Sequence, residues 1–244
     1  MSNKILLIAG CSNAAGYEIV NPEDSVNNRK LSFGNLLAKK LGRTPVNIAM
    51  GGLNNNGIVR SILYWFLRQY TDQDVHVLVS WTESVRVDVP VLANYGPIPF
   101  ENSGTDWACK QNNWFWYVNP GLQVQDHMDQ NEAQSILDIQ YTITEYPAMY
   151  EMHSWNSVLL LQNFFNARKV PYTMCNSMTM FTEPVARAYH SLVDYKYYFN
   201  AMDNSKSFYP YYRDLGHTNQ SALYWHHGEE PHKLYADELY NFIT

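Results

Sequence analysis

Apolar positions along the chain form short continuous runs, separated by longer stretches in which apolar residues recur every three or four positions. The run Lys4–Ala9 is almost entirely apolar and ends at Gly10, as expected of a strand buried on both faces of a parallel sheet. Similar runs predict further strands at Pro45–Met50, Val75–Trp81 and Val170–Cys175. The helical spacing predicts helices at Leu31–Leu41, Gly57–Tyr70, Tyr150–Lys169 and Pro231–Ile243.

Strands that alternate with helices indicate an α/β fold. We predict a three-layer α/β/α architecture with a parallel, flavodoxin-like sheet of about five strands and helices on both faces. The chain contains no internal repeat and no linker-like stretch, so residues 1–244 are interpreted as a single domain. Residues at about 88–147 break the rhythm, because they are rich in Asn, Gln, Trp and Pro and only weakly periodic. We interpret them as an insertion that packs as an irregular cover over the sheet edge or site, or as a contact for a homo-oligomer or assembly partner.

Charge and composition narrow the classes of partner. Charged residues make up only 16% of the chain, whereas aromatic residues reach 15%. Aromatic side chains offer flat apolar faces with polar edges, which suit sugars and other small polar molecules. The net charge is −6, so the basic footprint that nucleic acid or an anionic membrane surface requires is missing. The longest apolar runs also fall far short of the roughly 20 residues needed to span a bilayer. We therefore predict neither a nucleic-acid nor a membrane partner.

Three cysteines without a CxxC pair do not suggest a disulfide framework or a zinc ribbon. The apolar stretch near the N-terminus is shorter than that of a signal peptide and is interpreted as the first strand. We therefore expect synthesis in the cytoplasm and no cofactor.

Candidate chemistry lies in the turns that follow the predicted strands, because ligands of open parallel sheets bind beyond the carboxyl ends of the strands. Ser12 follows the first strand, where it is either a nucleophile surrounded by backbone N–H groups or a simple cap. After the second strand, Gly52 and Asn55 offer donors for an oxyanion, although a tight turn would also need glycine. A third turn begins at Trp81 and Thr82.

Three of the eight histidines fall within residues 226–232, just before the last predicted helix. A loop histidine in that place suits a general base, although solvated histidines at a helix cap would give the same pattern. A metal site is a further alternative. The spacing of His226, His227 and His232 matches none of the compact zinc patterns, so we predict no metal.

Taken together, these turns resemble the SGNH hydrolases, the superfamily that includes the GDSL esterases and lipases. The resemblance runs from Lys4 to Leu239, outside the insertion. Gly10-Cys11-Ser12 resembles the Gly-x-Ser turn that carries the nucleophile, and Asn47–Gly52 resembles the block that ends in the oxyanion-hole glycine. The segments 53–60 and 81–86 resemble a subgroup in which virus-encoded members are common, which makes location in a virus particle an alternative setting. The resemblance implies Ser12 as the nucleophile and Gly52 as an oxyanion donor.

The chain departs from the family in its third block. The Gly-x-Asn-Asp sequence is missing, and Ser80-Trp81-Thr82-Glu83-Ser84 stands in its place. The asparagine that would donate to the oxyanion is therefore absent, and Asn55 or Thr82 are our candidates to replace it.

The last block, Asp-x-x-His-Pro, has two partial matches. The family's alanine ten residues after the histidine points to His226, but Leu223 then occupies the position of the orienting acid. Asp214 and His217 keep the Asp-x-x-His spacing without the alanine. We favour His226 as the base, with Asp214, Glu229 or a backbone carbonyl as its acceptor, and retain the Asp214–His217 pair as the alternative.

The sequence thus predicts a serine esterase that acts on acyl esters, acetyl esters among them, of a carbohydrate or another small polar substrate. Trp81, Trp114 and Trp116 are the predicted substrate-binding residues. The alternative is a catalytically degenerate protein of the same fold that serves as a glycan-binding or structural assembly module.

Overall fold

A computed structural model describes residues 4–20, 24–70, 73–90, 115–118, 130–180, 188–189, 191–217 and 226–244. The strands are β1 Lys4–Gly10, β2 Thr44–Asn47, β3 Asp74–Trp81, β4 Val87–Pro90, β5 Phe115–Val118 and β6 Tyr172–Asn176. The helices are α1 Ser12–Ala15, α2 Ser25–Leu31, α3 Phe33–Lys40, α4 Asn55–Arg68, α5 Gln130–Glu145, α6 Pro147–Arg168, α7 Phe208–Asp214 and α8 Glu229–Ile243. Short 3₁₀ turns occur at Tyr195–Tyr197 and Asn204–Lys206.

The central sheet is parallel, with the strand order β2-β1-β3-β6. In its register Ile8 lies opposite Asn47 on one side and opposite Leu78 on the other. Beyond β6, Met174 forms an isolated parallel bridge with Tyr198. The predicted α/β architecture with a parallel sheet is confirmed, with four paired strands in the described part of the chain where we expected about five.

Helices cover both faces of the sheet because the side chains of β1 alternate between them. Ile5 and Leu7 point into a core shared with α4 and α6, whereas Leu6 and Ile8 point into a second core shared with α3, α7 and α8. Every one of these strand residues is almost fully buried. The result is the predicted three-layer α/β/α arrangement.

The predicted helix Leu31–Leu41 is instead the end of α2 followed by α3. The break lies at Ser32, whose ψ of 147° is extended. Ser32 is buried, and its hydroxyl accepts a hydrogen bond from the Asn47 side chain at 3.2 Å. The same Asn47 amide donates to Asn35 at 2.9 Å, so a buried polar cluster fixes the end of β2 against the start of α3.

The segment at about 88–147, which we expected to be irregular, contains regular structure where it is described. Strands β4 and β5 pair antiparallel, and α5 occupies sixteen residues. The sequence did carry a signal for α5, because Ile136, Ile139 and Ile143 stand at helical spacing. Helix α6 also begins at Pro147 rather than at Tyr150, with proline in the first turn, where its missing N–H costs nothing. Residues 91–114 and 119–129 lie outside the described residues.

Candidate active site

Ser12 follows the carboxyl end of β1 after a sharp turn, and it is the first residue of α1. Gly10 is required here, since a β-carbon at this position would lie 2.7 Å from Ala14 Cβ and 2.9 Å from the carbonyl oxygen of Ser80. Ser12 opens α1, where the first N–H groups have no acceptor within the helix, and it is 9% exposed. Ser12 therefore stands at the carboxyl edge of the sheet, beside N–H groups that α1 itself does not satisfy.

The turn after β2 lies directly beside it. The N–H of Met50 donates to the Gly10 carbonyl at 3.1 Å, which brings Gly51 and Gly52 next to the turn that carries Ser12. Gly52 is exposed and has a φ of +76°, a conformation that favours glycine. Both predicted turns thus reach the same edge of the sheet.

Tyr17 joins these two turns to the loop before α8. Its backbone N–H donates to the Ser12 carbonyl at 3.0 Å. Its ring covers Gly51 so closely that a β-carbon there would come within 2.5 Å of the ring. On another side, the Tyr17 ring meets the His226 ring edge-on, with 6.1 Å between the centroids. The ends of β1 and β2 and the late histidine therefore meet around one side chain.

His226 is held by a carboxylate that sequence reasoning missed. Its Nδ1 lies 2.7 Å from Oε2 of Glu18, and both side chains are partly buried. Glu18 follows Ser12 by six residues and has a φ of +59°, which is uncommon for a residue other than glycine. No spacing rule of the family points to this position, so only the three-dimensional structure reveals the pair.

The acids that we expected beside the histidines are engaged elsewhere. Asp214 is exposed and pairs with its neighbour Arg213 at 2.9 Å, rather than with His217. Glu229 pairs with Lys233 at 2.8 Å, one turn further along α8. The predictions of Asp214 and Glu229 as the acceptors of a base are corrected accordingly, because each carboxylate already faces a cation.

His217 lies in a different environment from His226. Its ring meets the ring of Tyr212 edge-on at 5.7 Å, and its backbone N–H donates to the Tyr212 carbonyl. These contacts attach His217 to the end of α7.

The remaining two histidines of the cluster are buried. Burial lowers the pKa of His227, although its hydrogen bond to the Tyr209 carbonyl acts against this effect. Burial also lowers the pKa of His232 to about 3, and His232 Nδ1 accepts the backbone N–H of Phe33. Both rings are therefore neutral at pH 7, and His226 is the partly exposed member of the cluster.

Asn55, a predicted oxyanion donor, has a structural role at the end of β3. Its Oδ1 accepts the N–H of Thr82 at 2.9 Å, and its Nδ2 donates to the Thr82 carbonyl and to Ser154 Oγ at 3.2 and 2.9 Å. Both amide hydrogens are used, so Asn55 has none to offer an oxyanion in this structure. Thr82 is itself fully buried. Its hydroxyl makes no hydrogen bond to the described residues, so burial rather than a partner separates it from the surface.

Of the predicted substrate-binding tryptophans, the structure describes Trp81 and Trp116. Trp81 is fully buried and belongs to the core on the α4 and α6 face, so the prediction that it contacts substrate is wrong. Strand alternation places it on the same face as Val75, Val77 and Val79, and α4 and α6 cover that face. Trp116 pairs with Val89 in the β4–β5 ladder, and Trp114 lies outside the described residues.

Within the described ranges, no group of three or more His, Cys, Asp or Glu side chains could hold a metal ion. None of the helices described in the structure is long and apolar enough to cross a membrane.

The sheet order, with Ser12 beyond β1 and Gly52 beyond β2, is the arrangement that the resemblance noted above implies. Within this α/β fold, the base candidate reaches the nucleophile candidate's turn from the far end of the chain, through the loop before α8.

Comparisons with known proteins gave structural similarities only. No family model and no curated protein matches the chain. Among solved structures, it is similar to a carbohydrate esterase at a TM-score of 0.48 and 11% identity, covering 100% of this chain and 65% of that one. A family two carbohydrate esterase from Clostridium thermocellum gives a TM-score of 0.39 and 11% identity, covering 99% of this chain and 64% of that one. An esterase from a Pseudoalteromonas species gives 0.38 and 12%, covering 98% and 96%. The chain thus spans less than two thirds of the length of either carbohydrate esterase.

Proposed function

We propose that this chain is a serine esterase that hydrolyses acyl esters of a carbohydrate or another small polar molecule. The observation that carries the proposal is the meeting of three segments around Tyr17. Through that side chain, the turn of Ser12, the turn of Gly51 and the loop of His226 are neighbours. A nucleophile, backbone donors and a histidine base are the parts that acyl transfer requires.

In the first half of the reaction, Ser12 Oγ attacks the ester carbonyl carbon while His226 takes the hydroxyl proton. The negative oxygen of the tetrahedral intermediate accepts hydrogen bonds from the backbone N–H groups of Ser12 and Gly52. The intermediate collapses, the alcohol leaves with the proton held by His226, and Ser12 carries the acyl group.

In the second half, His226 takes a proton from water, whose oxygen attacks the acyl carbon of the Ser12 ester. A second tetrahedral intermediate forms in the same place and is held by the same donors. When it collapses, His226 returns the proton to Ser12 Oγ and the carboxylic acid is released. Water and ester are consumed, and alcohol and acid are formed, so the cycle needs no cofactor.

The substrate class is inferred from the character of the chain. A composition low in charge and high in aromatic residues suits the apolar faces and hydroxyl edges of sugars. Acetyl esters of sugars are the substrates that we would assay first.

The test compares the wild-type protein with Ser12→Ala on short-chain acyl esters and acetylated glycans. We expect Ser12→Ala to lower kcat by about 10³-fold or more, since removing a nucleophile leaves only the contributions of binding and the oxyanion donors. Ser205→Ala is the matched control, because Ser205 is exposed and its hydroxyl donates a hydrogen bond to Asp203. Equally slow hydrolysis by the wild type and Ser12→Ala would show that the chain is not an esterase of this kind.

One observation favours a second candidate function, that of a glycan-binding or assembly module. The donor that the family supplies from its third block is missing, and the Asn55 amide is fully used within the protein. An oxyanion donor typically contributes about 10²–10³ in rate, so an SGNH fold with one donor fewer is a weaker catalyst. Calorimetry with acetylated oligosaccharides separates the two functions: saturable binding without Ser12-dependent turnover would favour the binding module.

A further inference from the structure

We propose that Glu18 is the positioning residue of the active site, supplying from the nucleophile's own turn the carboxylate that orients His226. The inference rests on the proposed function, because it assigns Glu18 a role through the base of that reaction. It goes beyond the resemblance, which implies an acid three residues before the histidine, where this chain has Leu223.

The hydrogen bond specifies which ring nitrogen acts as the base. Glu18 Oε2 lies 2.7 Å from Nδ1, so a carboxylate at this distance holds the hydrogen on Nδ1. In a neutral imidazole, the other nitrogen then carries the lone pair. Nε2 is on the opposite side of the ring from Glu18 and is the nitrogen that takes the proton of Ser12. A serine–histidine pair requires its third member to hold the ring in this state, with hydrogen on one nitrogen and the lone pair on the other.

The turn that carries Glu18 is fixed on both sides. Before it, the Tyr17 N–H binds the Ser12 carbonyl. After it, Ile19 is fully buried, and the Val20 N–H donates to the buried Asn28 side chain at 2.9 Å. Glu18 itself keeps a left-handed φ of +59° between these anchors. A conformation of that kind persists only where its surroundings hold it, and here it directs the carboxylate to His226.

The other titratable groups around His226 do not compete for this role. Tyr17 meets the ring at its edge. His227 and His232, which follow on the same segment, are kept neutral by burial. Glu229 already faces Lys233, and Glu230 is exposed in the first turn of α8. Among the described residues, Glu18 is the carboxylate that contacts the His226 ring.

Kinetics provide the first test. We expect Glu18→Gln to lower kcat by about 10²–10⁴-fold with KM within about threefold, because an amide can stabilise the wrong tautomer of the base. Glu18→Asp keeps the carboxylate and should recover at least tenfold of that loss. Glu230→Gln removes the same charge from a nearby exposed position and should leave kcat unchanged. Full activity in Glu18→Gln, or equal loss in Glu18→Gln and Glu18→Asp, would overturn the proposal.

Histidine tautomers provide a second test that does not depend on activity. In protein labelled with ¹⁵N-histidine and carrying Ser12→Ala, the ring nitrogen shifts of His226 should report hydrogen on Nδ1. Adding Glu18→Ala should shift the ring toward a mixture of both tautomers. An unchanged tautomer would overturn the inference, whether or not the protein hydrolyses esters. If the wild type shows no Ser12-dependent hydrolysis but Glu18→Ala alters the tautomer, the proposed function fails while the Glu18–His226 pair stands as a structural one.

Discussion

The ends of β1 and β3 lie at the same edge of the sheet, yet their polar residues are used in opposite ways. Beyond β3, the Asn55 amide, the Thr82 backbone and Ser154 satisfy one another in a fully buried network. Beyond β1, Glu18 and His226 satisfy one nitrogen of the ring and remain partly exposed. The first network uses its polar groups within the protein, whereas the second leaves a titratable group at the surface.

The contrast separates polar groups that stabilise the fold from polar groups that remain available for catalysis. A buried polar group must find all its partners, since each unsatisfied one costs about 1–3 kcal/mol. Asn55 meets that demand and has nothing left for a substrate. Within the described residues, His226 is anchored through Nδ1 by its contact with Glu18, and the proposed mechanism assigns Nε2 to Ser12. We therefore expect substitutions beyond β1 to affect activity and substitutions beyond β3 to affect stability.

The largest expected effect is on hydrolysis by His226→Ala. Removing the base should lower kcat by about 10³-fold or more, because Ser12 then has no proton acceptor. The change should cost little stability, since His226 is partly exposed. Initial rates on a short acyl ester, with thermal unfolding measured in parallel, check both expectations.

His217→Ala is the matched variant, because it removes a second half-buried histidine whose ring contacts Tyr212. We expect its rates to stay within about threefold of the wild type. If His217→Ala abolishes hydrolysis while His226→Ala retains it, the Asp-x-x-His spacing was the correct signal and the assignment of the base is reversed.

Next in size is the loss of stability in Asn55→Ala. The substitution leaves the buried N–H and carbonyl of Thr82 without their partner, so we expect a decrease of about 2–4 kcal/mol in the free energy of unfolding. Asn56→Ala removes an exposed side chain that makes one hydrogen bond to Ser157 and should cost no more than about 1 kcal/mol. Urea unfolding measures both. Equal decreases in the free energy of unfolding would show that the network beyond β3 stabilises the protein no more than the hydrogen bond of Asn56 does.

The same contrast explains what the sequence could and could not predict. Strand β1 and the turns after β1 and β2 follow from a local apolar run and from glycines, both visible along the chain. The burial of Trp81 was not visible, because the alternation of a strand gives no sign of which face its last residue meets until the covering helices are known. The use of the Asn55 amide depends on Ser154, almost a hundred residues away.

The pairing of Glu18 with His226 is the clearest case. The two residues are 208 positions apart, and neither belongs to a spacing pattern that links them. What brings them together is the return of the chain to the edge beside β1 in the loop before α8. Asp214 and His217 have the Asp-x-x-His spacing in the sequence. In the folded chain, however, Asp214 pairs with the adjacent Arg213 and not with His217.

A smaller effect should follow from acid, and it arises at the buried His232. The pKa of buried His232 is lowered to about 3 from its usual value of 6.5, so the unfolded chain binds a proton that the folded one refuses. As far as His232 is concerned, the free energy of unfolding keeps its full value above pH 6.5. As the pH falls from 6.5 toward 3, this free energy decreases by up to about 1.4 kcal/mol per pH unit.

Urea unfolding at pH 7 and pH 5 measures this loss. His232→Gln keeps an acceptor for the Phe33 N–H without titrating, so the decrease between the two pH values should be smaller in this variant. A pH dependence identical in His232→Gln and the wild type would show that His232 is not its source.

The smallest expected effect belongs to Asp214→Asn, which removes the acid of the alternative pair. Asp214 is exposed and pairs with the adjacent, equally exposed Arg213, and such surface pairs contribute about 0–1 kcal/mol. It also ends α7, where a negative charge opposes the helix dipole, so neutralising it offsets part of that loss. We expect unfolding free energy within about 0.5 kcal/mol of the wild type and rates within about twofold. The same change of carboxylate to amide at Glu18 should act on the rate alone. A hundredfold loss of kcat in Asp214→Asn would contradict the assignment of Glu18, since the carboxylate that orients the base would then lie at the end of α7 and not in the turn after β1.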